Sequence, residues 1–506
     1  MMSPIRGSGQ TQMEPGKLCI MREGKSGPYF NPQYREDGTR YDYYYDAIGQ
    51  LTNAAATLAD DTPWQAYQYG YQYDNTGNPV EQDKNGMVYS NSFNNLNQNV
   101  ATAPGGSLAV LGRVNYAGGT VTVNSVQAQL SPGLIFAATG IPFTLGSNAL
   151  DTVFTDPFGR YTNQQTSVVV SQKAYQYDAN GNLTNDSRMA YFWDDENRLV
   201  AVRDAKTGDL IQENRYDGRG RRRERLQSAV AGGDDPGSTN RYIYQDWLVL
   251  AVTDGEGNVL ETYTHGADLS GQVGGAAGGI CGILASTQAS GSAYYHYDFN
   301  GNVVNVSSSN QTQLAKYTYS PFGEVLLKEG EFDSRYQFST KEYDDCTGLN
   351  YYGYRVYSPG LGRWLARDPL GEIGGPLWFD LQSQRQMEQE SSESDRAREM
   401  LSQAYATIIA EGGELNAETM AMLDVLVRQQ LATERKDTEQ NQARSRIPPN
   451  SYVFARNAAI SNVDVLGLYC LVTGPCWGKC PRCCAGILVN WPLMVGVCVK
   501  CEGGGW

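Results

Sequence analysis

The hydrophobic pattern of this chain repeats in short alternating units. In Tyr175 to Val202, YQYDANGNLTNDSRMAYFWDDENRLVAV, aromatic and aliphatic residues recur at alternate positions on both sides of an Asp-x-x-Gly sequence. Alternation predicts strands, because successive side chains in a strand point to opposite faces. The Asp can accept a turn N–H and the Gly can supply a positive φ, so the sequence between the strands predicts a tight turn. Each unit is therefore predicted to be one β-hairpin.

Copies of this unit recur along the chain, with the form Tyr-x-Tyr-Asp-x-x-Gly followed by Asn, Gln or Arg and then Leu or Val. Complete or degenerate copies stand at Tyr45-Asp46, Tyr73-Asp74, Phe93-Asn94, Tyr177-Asp178, Trp193-Asp194, Tyr216-Asp217, Tyr297-Asp298 and Tyr319. A single hairpin cannot bury its apolar face alone, so units about twenty residues apart are expected to stack on their neighbours. We interpret the tyrosine rows as packing surfaces, with sugar binding as the alternative.

Two stretches interrupt the repeats. Residues 103–170 alternate apolar and polar positions between closely spaced turn signals, which predicts a small β-sandwich that resembles bacterial Ig-like domains. Residues 376–449 are acidic and place apolar residues at helical spacing on either side of Gly412-Gly413. This second pattern predicts an αα-hairpin with a solvated acidic face, or alternatively a groove for a partner.

Composition favours β structure and argues against several classes of function. The chain of 506 residues contains 34 tyrosines and 56 glycines, a mixture typical of turn-rich β proteins. Its net charge of −15 argues against a nucleic-acid or anionic-membrane surface, so no nucleic acid is expected as a partner of the repeats. The sequence shows neither a signal-peptide core nor a membrane-spanning run. The two histidines, His265 and His296, give little support to a histidine-based triad.

A specific motif follows the second series of repeats. Tyr351 to Gly375, YYGYRVYSPGLGRWLARDPLGEIGG, contains Arg355 and Asp368, and Ser451 to Leu468, SYVFARNAAISNVDVLGL, follows after the predicted helices. This arrangement resembles the RHS/YD-repeat family, whose repeats end in an RHS repeat-associated core with an Arg…Asp-Pro-x-Gly…Asp-x-Leu-Gly-Leu pattern. The resemblance covers most of the chain.

The resemblance implies a mainly β fold, in which YD-repeat hairpins form a spiral that closes into a hollow shell of the teneurin-like and polymorphic-toxin type. It divides the chain into a leader, with or without order, two series of YD repeats, an Ig-like insert, a core in two halves around a helical-hairpin insert, and a Cys-rich variable tail. In chain order these are residues 1–40 (leader), 41–102 (repeats), 103–170 (Ig-like insert), 171–350 (repeats), 351–375 (core), 376–449 (helical insert), 450–468 (core) and 469–506 (tail).

The resemblance also implies an activity on the chain itself. Family members with the full motif resemble aspartyl autoproteases that cut after the last Leu. Carried over, Asp368 and Asp464 form the dyad, Arg355 orients a carboxylate, and the cut falls between Leu468 and Tyr469. Two close carboxylates can share a proton and act as acid and base toward a peptide bond, without metal or cofactor.

One departure from the family pattern and one alternative bear on this reading. Val465 stands where the family has Pro, so the φ constraint that helps to fix the substrate strand is missing. The alternative is that Asp368 and Asp464 only cap turns in an uncut core. The chain would then be a non-enzymatic surface or structural repeat protein, with adhesion or carbohydrate binding as its role.

The first function hypothesis is a self-cleaving carrier that encloses and releases a short peptide in toxin delivery. Its partners would be its own C-terminal peptide, an upstream shell chain that completes the shell, or an immunity protein. By resemblance the protein would be secreted or at the cell surface, although no signal peptide is visible; otherwise it would be cytoplasmic.

The C-terminal tail carries most of the ten cysteines. Cys480-x-x-Cys483 and Cys498-x-x-Cys501 have a spacing close to that of four-thiolate zinc sites, and nearby Lys and Arg favour the thiolates. Disulfides are the alternative, although an odd number of tail cysteines would leave one thiol over. A unit this small needs such cross-links.

We predict that the tail binds about one zinc ion per chain through these four thiolates. Metal analysis of the reduced full-length protein should find zinc, and the double change Cys480→Ser with Cys498→Ser should remove it. Cys19→Ser, outside the tail, should leave the zinc content unchanged. Disulfide-bonded tails without zinc in the native protein would contradict this prediction.

Overall fold

The structure, a computed structural model, describes residues 22–23, 30–35, 37–131, 133–229, 237–274 and 277–369. These residues are almost entirely antiparallel β structure, which confirms the predicted mainly β fold class. Their single helical segment is a 3₁₀ turn, Phe338–Thr340. The helical insert predicted at 376–449, the second core half at 450–468 and the tail at 469–506 lie outside the described residues. Within the described part of the chain, no helix has the length and apolarity to cross a membrane.

The chain begins with a meander in which each strand pairs antiparallel with the next. Its strands are β1 (Arg22–Glu23), β2 (Phe30–Tyr34), β3 (Arg40–Tyr45), β4 (Leu51–Thr57), β5 (Pro63–Tyr73), β6 (Pro79–Lys84), β7 (Met87–Phe93) and β8 (Asn99–Gly106). We call this the first sheet.

The chain then leaves the first sheet and returns to it. The departing segment contains β9 (Leu108–Arg113), β10 (Thr120–Val123), β11 (Val126–Gln127), β12 (Gln129–Leu130), β13 (Ile135–Ile141), β14 (Gly146–Thr155) and β15 (Tyr161–Val170), and β16 (Lys173–Ala174) marks its return. Two small sheets, β11-β10-β14-β15 and β12-β13-β9, share one apolar core, which is the arrangement expected of a β-sandwich. Because β16 pairs with β8, with Lys173 opposite Thr102, the segment replaces one hairpin connection and leaves the sheet continuous.

A second, longer meander follows. This second sheet consists of β17 (Gln176–Tyr177), β18 (Leu183–Asn185), β19 (Met189–Trp193), β20 (Leu199–Asp204), β21 (Leu210–Tyr216), β22 (Arg222–Gln227), β23 (Ser238–Gln245), β24 (Leu248–Thr253), β25 (Val259–His265), β26 (Ile283–Gln288), β27 (Gly291–Tyr297), β28 (Val303–Ser308), β29 (Gln313–Tyr319) and β30 (Val325–Glu329). A small terminal sheet completes the described chain with β31 (Glu342–Asp344), β32 (Leu349–Tyr351), β33 (Val356–Ser358) and β34 (Arg363–Trp364).

The repeat turns are built on the aspartate, as the sequence predicts. At the turn after β5, Asp74 Oδ1 accepts the backbone N–H groups of Thr76 and Asn78, both at 2.9 Å. Gly77 adopts φ +81°, which only glycine adopts at no cost. The Asn78 amide donates to the second Asp74 oxygen at 2.8 Å, so one carboxylate organises the whole turn. The contact from the N–H of the residue four positions on recurs at Asp46, Asp178, Asp194, Asp217, Asp254 and Asp298.

The aromatic residue before each of several turns ties its hairpin to the preceding one. Its side chain, at the end of the outgoing strand, donates to the carbonyl of the first residue of the preceding returning strand. We call this contact the tyrosine staple. It joins Tyr73 to Leu51 (2.8 Å), Tyr216 to Leu199 (2.8 Å), Tyr297 to Ile283 (2.6 Å), Tyr319 to Val303 (2.7 Å) and, through an indole N–H, Trp193 to Leu183 (2.8 Å).

The two large sheets and the terminal sheet share one aromatic core. Tyr71 of the first sheet packs edge-on against Phe322, with ring centroids 5.2 Å apart. In the terminal sheet, Tyr352 packs edge-on against Trp364 at 4.9 Å. These contacts agree with the interpretation of the tyrosine rows as packing surfaces. The terminal sheet is therefore held between the inner faces of the larger sheets.

We predict that Tyr319→Phe lowers the free energy of unfolding by about 1–2 kcal/mol, because it leaves the buried Val303 carbonyl without its donor. Burial raises the pKa of Tyr319 well above its usual value, so its hydroxyl remains a donor at ordinary pH. The denaturant midpoints of the two proteins measure the effect. Tyr294→Phe removes a hydroxyl from a half-exposed ring and should change stability by less than about 0.5 kcal/mol. Equal effects of the two changes would contradict a role for the staple.

Candidate functional site

Arg355 and Asp368 meet because of the register of one short hairpin. β33 and β34 are antiparallel, with Tyr357 opposite Trp364. The ladder continues beyond them, since the N–H of Leu365 donates to the carbonyl of Val356 at 3.0 Å. Arg355 lies immediately before β33 and Asp368 shortly after β34, so the hairpin returns the chain to the same end of the terminal sheet. The local fold thus places the two residues side by side.

The two side chains form a buried ion pair. Arg355 Nη2 lies 2.9 Å from Asp368 Oδ2, and the side chains are only 1% and 2% exposed. The guanidinium also lies over the Trp364 ring, 4.3 Å from its centroid. A planar cation between a carboxylate and an aromatic face is fixed in orientation, and charge-assisted hydrogen bonds of this kind are stronger than neutral ones. The first half of the sequence-predicted site is therefore assembled and shielded from water.

The remaining predicted site residues lie outside the described residues. These are Asp464 of the dyad, the bond between Leu468 and Tyr469, and the zinc ligands Cys480, Cys483, Cys498 and Cys501. The described part of the chain contains no group of three or more His, Cys, Asp or Glu side chains that could hold a metal ion. What the described geometry supplies is one desolvated carboxylate held in place by a guanidinium.

The structure also reveals a buried ionic cluster that the sequence reading missed. Arg222 on β22 binds Asp344 on β31 with two hydrogen bonds of 2.6 and 3.0 Å. Arg222 also donates to Glu342 at 2.8 Å, and Arg225 donates to Asp344 at 2.5 Å. All four side chains are at most 6% exposed. We call these four residues the docking cluster, because they join the second sheet to the terminal sheet.

Electrostatics in the docking cluster favour the charged state of Asp344. Burial by itself would raise the pKa of Asp344, but the positive charges of Arg222 and Arg225 outweigh this effect and hold the pKa well below its usual range. Tyr242 donates to Glu342 at 2.7 Å, so the second carboxylate is also hydrogen-bonded. A buried charge network of this kind is stable only while every partner is present.

A sequence signal for the docking cluster does exist. The run RGRRRERL, Arg219 to Leu226, contains the chain's densest group of arginines. In the structure Arg222 and Arg225 of this run are buried and Arg223 is exposed. The run alone does not reveal which arginines turn inward, because a bulge shifts the register between Arg215 and Tyr216 on the paired strand.

The histidines have structural contacts. A ring nitrogen of His265 lies 2.8 Å from the carbonyl of Val249, close to the position of a tyrosine staple, and burial lowers the pKa of His265. His296 contacts the Ser307 hydroxyl at 2.8 Å across two paired strands. Near His265 the backbone packs closely at a glycine, since a Cβ on Gly279 would lie 2.7 Å from a Leu248 methyl.

Comparisons with known proteins find sequence relatives that include a nuclease and a toxin subunit. No family model matches the chain. The chain is 34% identical over 211 residues to the tRNA3(Ser)-specific nuclease WapA of Bacillus spizizenii, covering 41% of this chain and 8% of that protein. It is 36% identical over 88 residues to toxin subunit YenC1 of Yersinia entomophaga, covering 16% of this chain and 9% of that protein. Teneurin-4 of Homo sapiens is 23% identical over 438 residues, covering 74% of this chain and 14% of that protein.

Among solved structures, the chain resembles the complex TcdB2-TccC3-Cdc42 with a TM-score of 0.36 and 16% identity, covering 86% of this chain and 19% of that one. The chain spans less than a tenth of the length of the WapA nuclease and of the toxin subunit that it matches. The described fold is a series of stacked β-hairpins, and the chain is similar in sequence to parts of these proteins.

We predict that Asp344→Asn destabilises the protein by about 3–5 kcal/mol, because it leaves two buried guanidinium groups with one carboxylate. Denaturant unfolding at neutral pH measures this loss. Asp246→Asn breaks a pair whose side chains are 72% and 84% exposed and should cost less than about 1 kcal/mol. A similar small loss for both variants would contradict the role of the docking cluster.

The lowered pKa of Asp344 also predicts how the stability of the protein depends on pH. The folded-state pKa of Asp344 lies below its ordinary value of 3.8, so its contribution to stability is complete above that pH. It is lost as the pH falls toward the folded-state pKa. Between pH 5 and 3 the wild-type protein should therefore lose more stability than Asp344→Asn.

Proposed function

We propose that this chain is a toxin-related RHS-repeat shell protein that cuts itself after Leu468 and carries or releases a short Cys-rich peptide. The observation that supports this most directly is the buried Arg355–Asp368 pair, with 2.9 Å between its charged atoms. A carboxylate that is desolvated and fixed by a guanidinium is prepared for proton transfer, provided that a second carboxylate comes close.

In the proposed reaction Asp464 supplies that second carboxylate. Water adds to the Leu468 carbonyl carbon as the ionised carboxylate takes one of its protons. The protonated carboxylate then gives its proton to the Tyr469 nitrogen as the C–N bond breaks. The products are a Leu468 carboxylate and a free Tyr469 amine, and the two aspartates together again hold one proton.

The relatives support a toxin-related setting. Proteins similar to this chain include a tRNA-specific nuclease and a toxin subunit. We propose that the chain works as part of a larger assembly, with an upstream shell chain or an immunity protein as partner, at the cell surface or outside the cell. The peptide 469–506 would be the delivered part, with zinc bound by its four paired cysteines.

A second candidate is a non-enzymatic structural or surface repeat protein. The same ion pair favours it in one respect, because Asp368 is already bound by Arg355 and a static pair of this kind can simply close the terminal sheet. The two candidates differ in whether the chain stays intact.

We predict that the folded full-length chain separates on denaturing analysis into a large β fragment and a tail of roughly 4 kDa, taking about 110 Da per residue. Intact-mass spectrometry at neutral and mildly acidic pH measures this. Asp464→Asn and Asp368→Asn should each abolish the cut, since an amide cannot exchange the required proton. Arg355→Lys should slow it, because an ammonium lacks the planar fork that binds a carboxylate.

The controls separate chemistry from folding. Asp254→Asn changes an exposed turn aspartate of the same residue type and should leave the cut unchanged. Asp464→Asn keeps the Arg355–Asp368 pair intact, so loss of the cut in a variant of unchanged thermal stability points to the chemistry. Val465→Pro should preserve or speed the cut by stiffening the substrate strand. An intact wild-type mass under all these conditions would remove the enzymatic function and leave the structural one.

A further inference from the structure

A polar cavity of about 380 Å³ lies where the two large sheets meet the terminal sheet. β6, β7, β8 and β16 of the first sheet form one side, and the β18–β19 turn of the second sheet forms another. The β31–β32 and β33–β34 turns of the terminal sheet complete it. Its size is near the lower end of the range for small-molecule sites, about 300–1,000 Å³. It is separate from the Arg355–Asp368 pair, neither of whose side chains lines it.

The charged lining of the cavity favours an anion. Lys84 is neutralised by Glu324 at 2.6 Å. The other carboxylate, Asp186, already accepts from the Tyr191 hydroxyl at 2.8 Å and from two backbone N–H groups. The cations Lys173, Arg188 and Arg363 therefore outnumber the carboxylate that remains, although the chain as a whole carries a net charge of −15.

Lys173 is the cation that is left for a ligand. Its amine makes no hydrogen bond or ion pair with any residue of the described chain, while the Arg188 guanidinium donates to the carbonyl of Thr347 at 3.2 Å. The Lys173 side chain is open to solvent, yet desolvation by the surrounding protein lowers its pKa. Solvent exposure together with a lowered pKa is expected of an amine in the wall of a cavity rather than on an open surface.

A buried residue with an unpaired acceptor, Asn99, lines the same cavity. Asn99 is 5% exposed, and its Oδ1 atom has no hydrogen-bond partner among the described residues. Its amide nitrogen donates to Thr102 at 3.3 Å and to Asn91 at 3.4 Å, so the oxygen is the end that needs a donor. Thr102 stands opposite Lys173 in the β8–β16 ladder, which puts the acceptor and the amine on one face of the sheet.

The Lys173 amine and the Asn99 oxygen require two different functional groups in one ligand. The ammonium group of Lys173 attracts an anion, and the unpaired carbonyl oxygen of Asn99 requires a hydroxyl or N–H donor. Four tyrosine rings, Tyr89, Tyr175, Tyr191 and Tyr343, line the same cavity and offer flat apolar surfaces beside polar tips. A hydroxylated ring that carries one carboxylate satisfies all three features.

We propose that this cavity binds a uronic acid, with the sugar carboxylate on Lys173, a sugar hydroxyl donating to Asn99 and the ring against the tyrosines. The site does not depend on self-cleavage, because it shares no side chain with the Arg355–Asp368 pair. It gives the shell a binding activity for acidic saccharides of one or two rings.

Isothermal titration of the full-length protein with D-galacturonate tests the proposal. Wild-type protein should bind it, and Lys173→Met should weaken binding at least about tenfold by removing the charge-assisted contact. Lys206→Met removes an equal charge from an exposed turn and should leave the affinity unchanged. Asn99→Leu should also weaken binding, and the thermal stability of each variant shows whether it is folded.

Two further ligands test the contributions of the carboxylate and of the sugar ring separately. D-galactose, which lacks the carboxylate, should bind at least about tenfold more weakly, and so should acetate, which lacks the ring. No binding of galacturonate by the wild-type protein, or equal affinity in Lys173→Met, would overturn the proposal. Equal binding of acetate would overturn the saccharide part. Because the cavity shares no side chain with the Arg355–Asp368 pair, failure of the self-cleavage proposal would not affect this result.

Discussion

The long sheets depend on a pair of adjacent residues that does two tasks at several of the turns. The aspartate carboxylate accepts two backbone N–H groups and so fixes the turn, as Asp298 does with Asn300 and Asn302. The aromatic residue before it then lies at the end of the outgoing strand, where Tyr297 donates to the carbonyl of Ile283. The turn and the link to the preceding hairpin are thus specified within two residues. Because each link is local, hairpins can be added one after another without any long-range pairing.

The terminal sheet is held in a different way. Its strands are only two or three residues long, too short to be stable through their own ladder. The docking cluster connects β31 to β22 through buried charges. Buried ion pairs cost desolvation and are weak evidence for stability. As a hypothesis for this protein, their value lies in orientation, because the planar fork of Arg222 donates to Asp344 in one geometry.

The side chains of the candidate site are held in place by their packed neighbours in the terminal sheet. Arg355 is fixed by Asp368 and by the Trp364 ring, and Trp364 is packed against Tyr352 and Tyr357. Sites whose groups are held by packed neighbours lose little entropy when they act. The cavity under Lys173 is less tightly filled, since three separate sheets meet there and their side chains leave space between them.

The sequence by itself determined what depends on local contacts. The hairpin units, the aspartate turns and the inward tyrosines follow from alternation and from turn chemistry, both of which act within a few residues. The pairing of Arg355 with Asp368 was expected only through a family resemblance, and the register of β33 and β34 supplies its physical reason. The docking cluster and the Lys173 cavity were decided by the tertiary structure alone. Arg222 and Asp344 are far apart in the chain, and so are Asn99 and Lys173. The folded sheets decide which of many charged and polar side chains turn inward, and they alone bring these residues together.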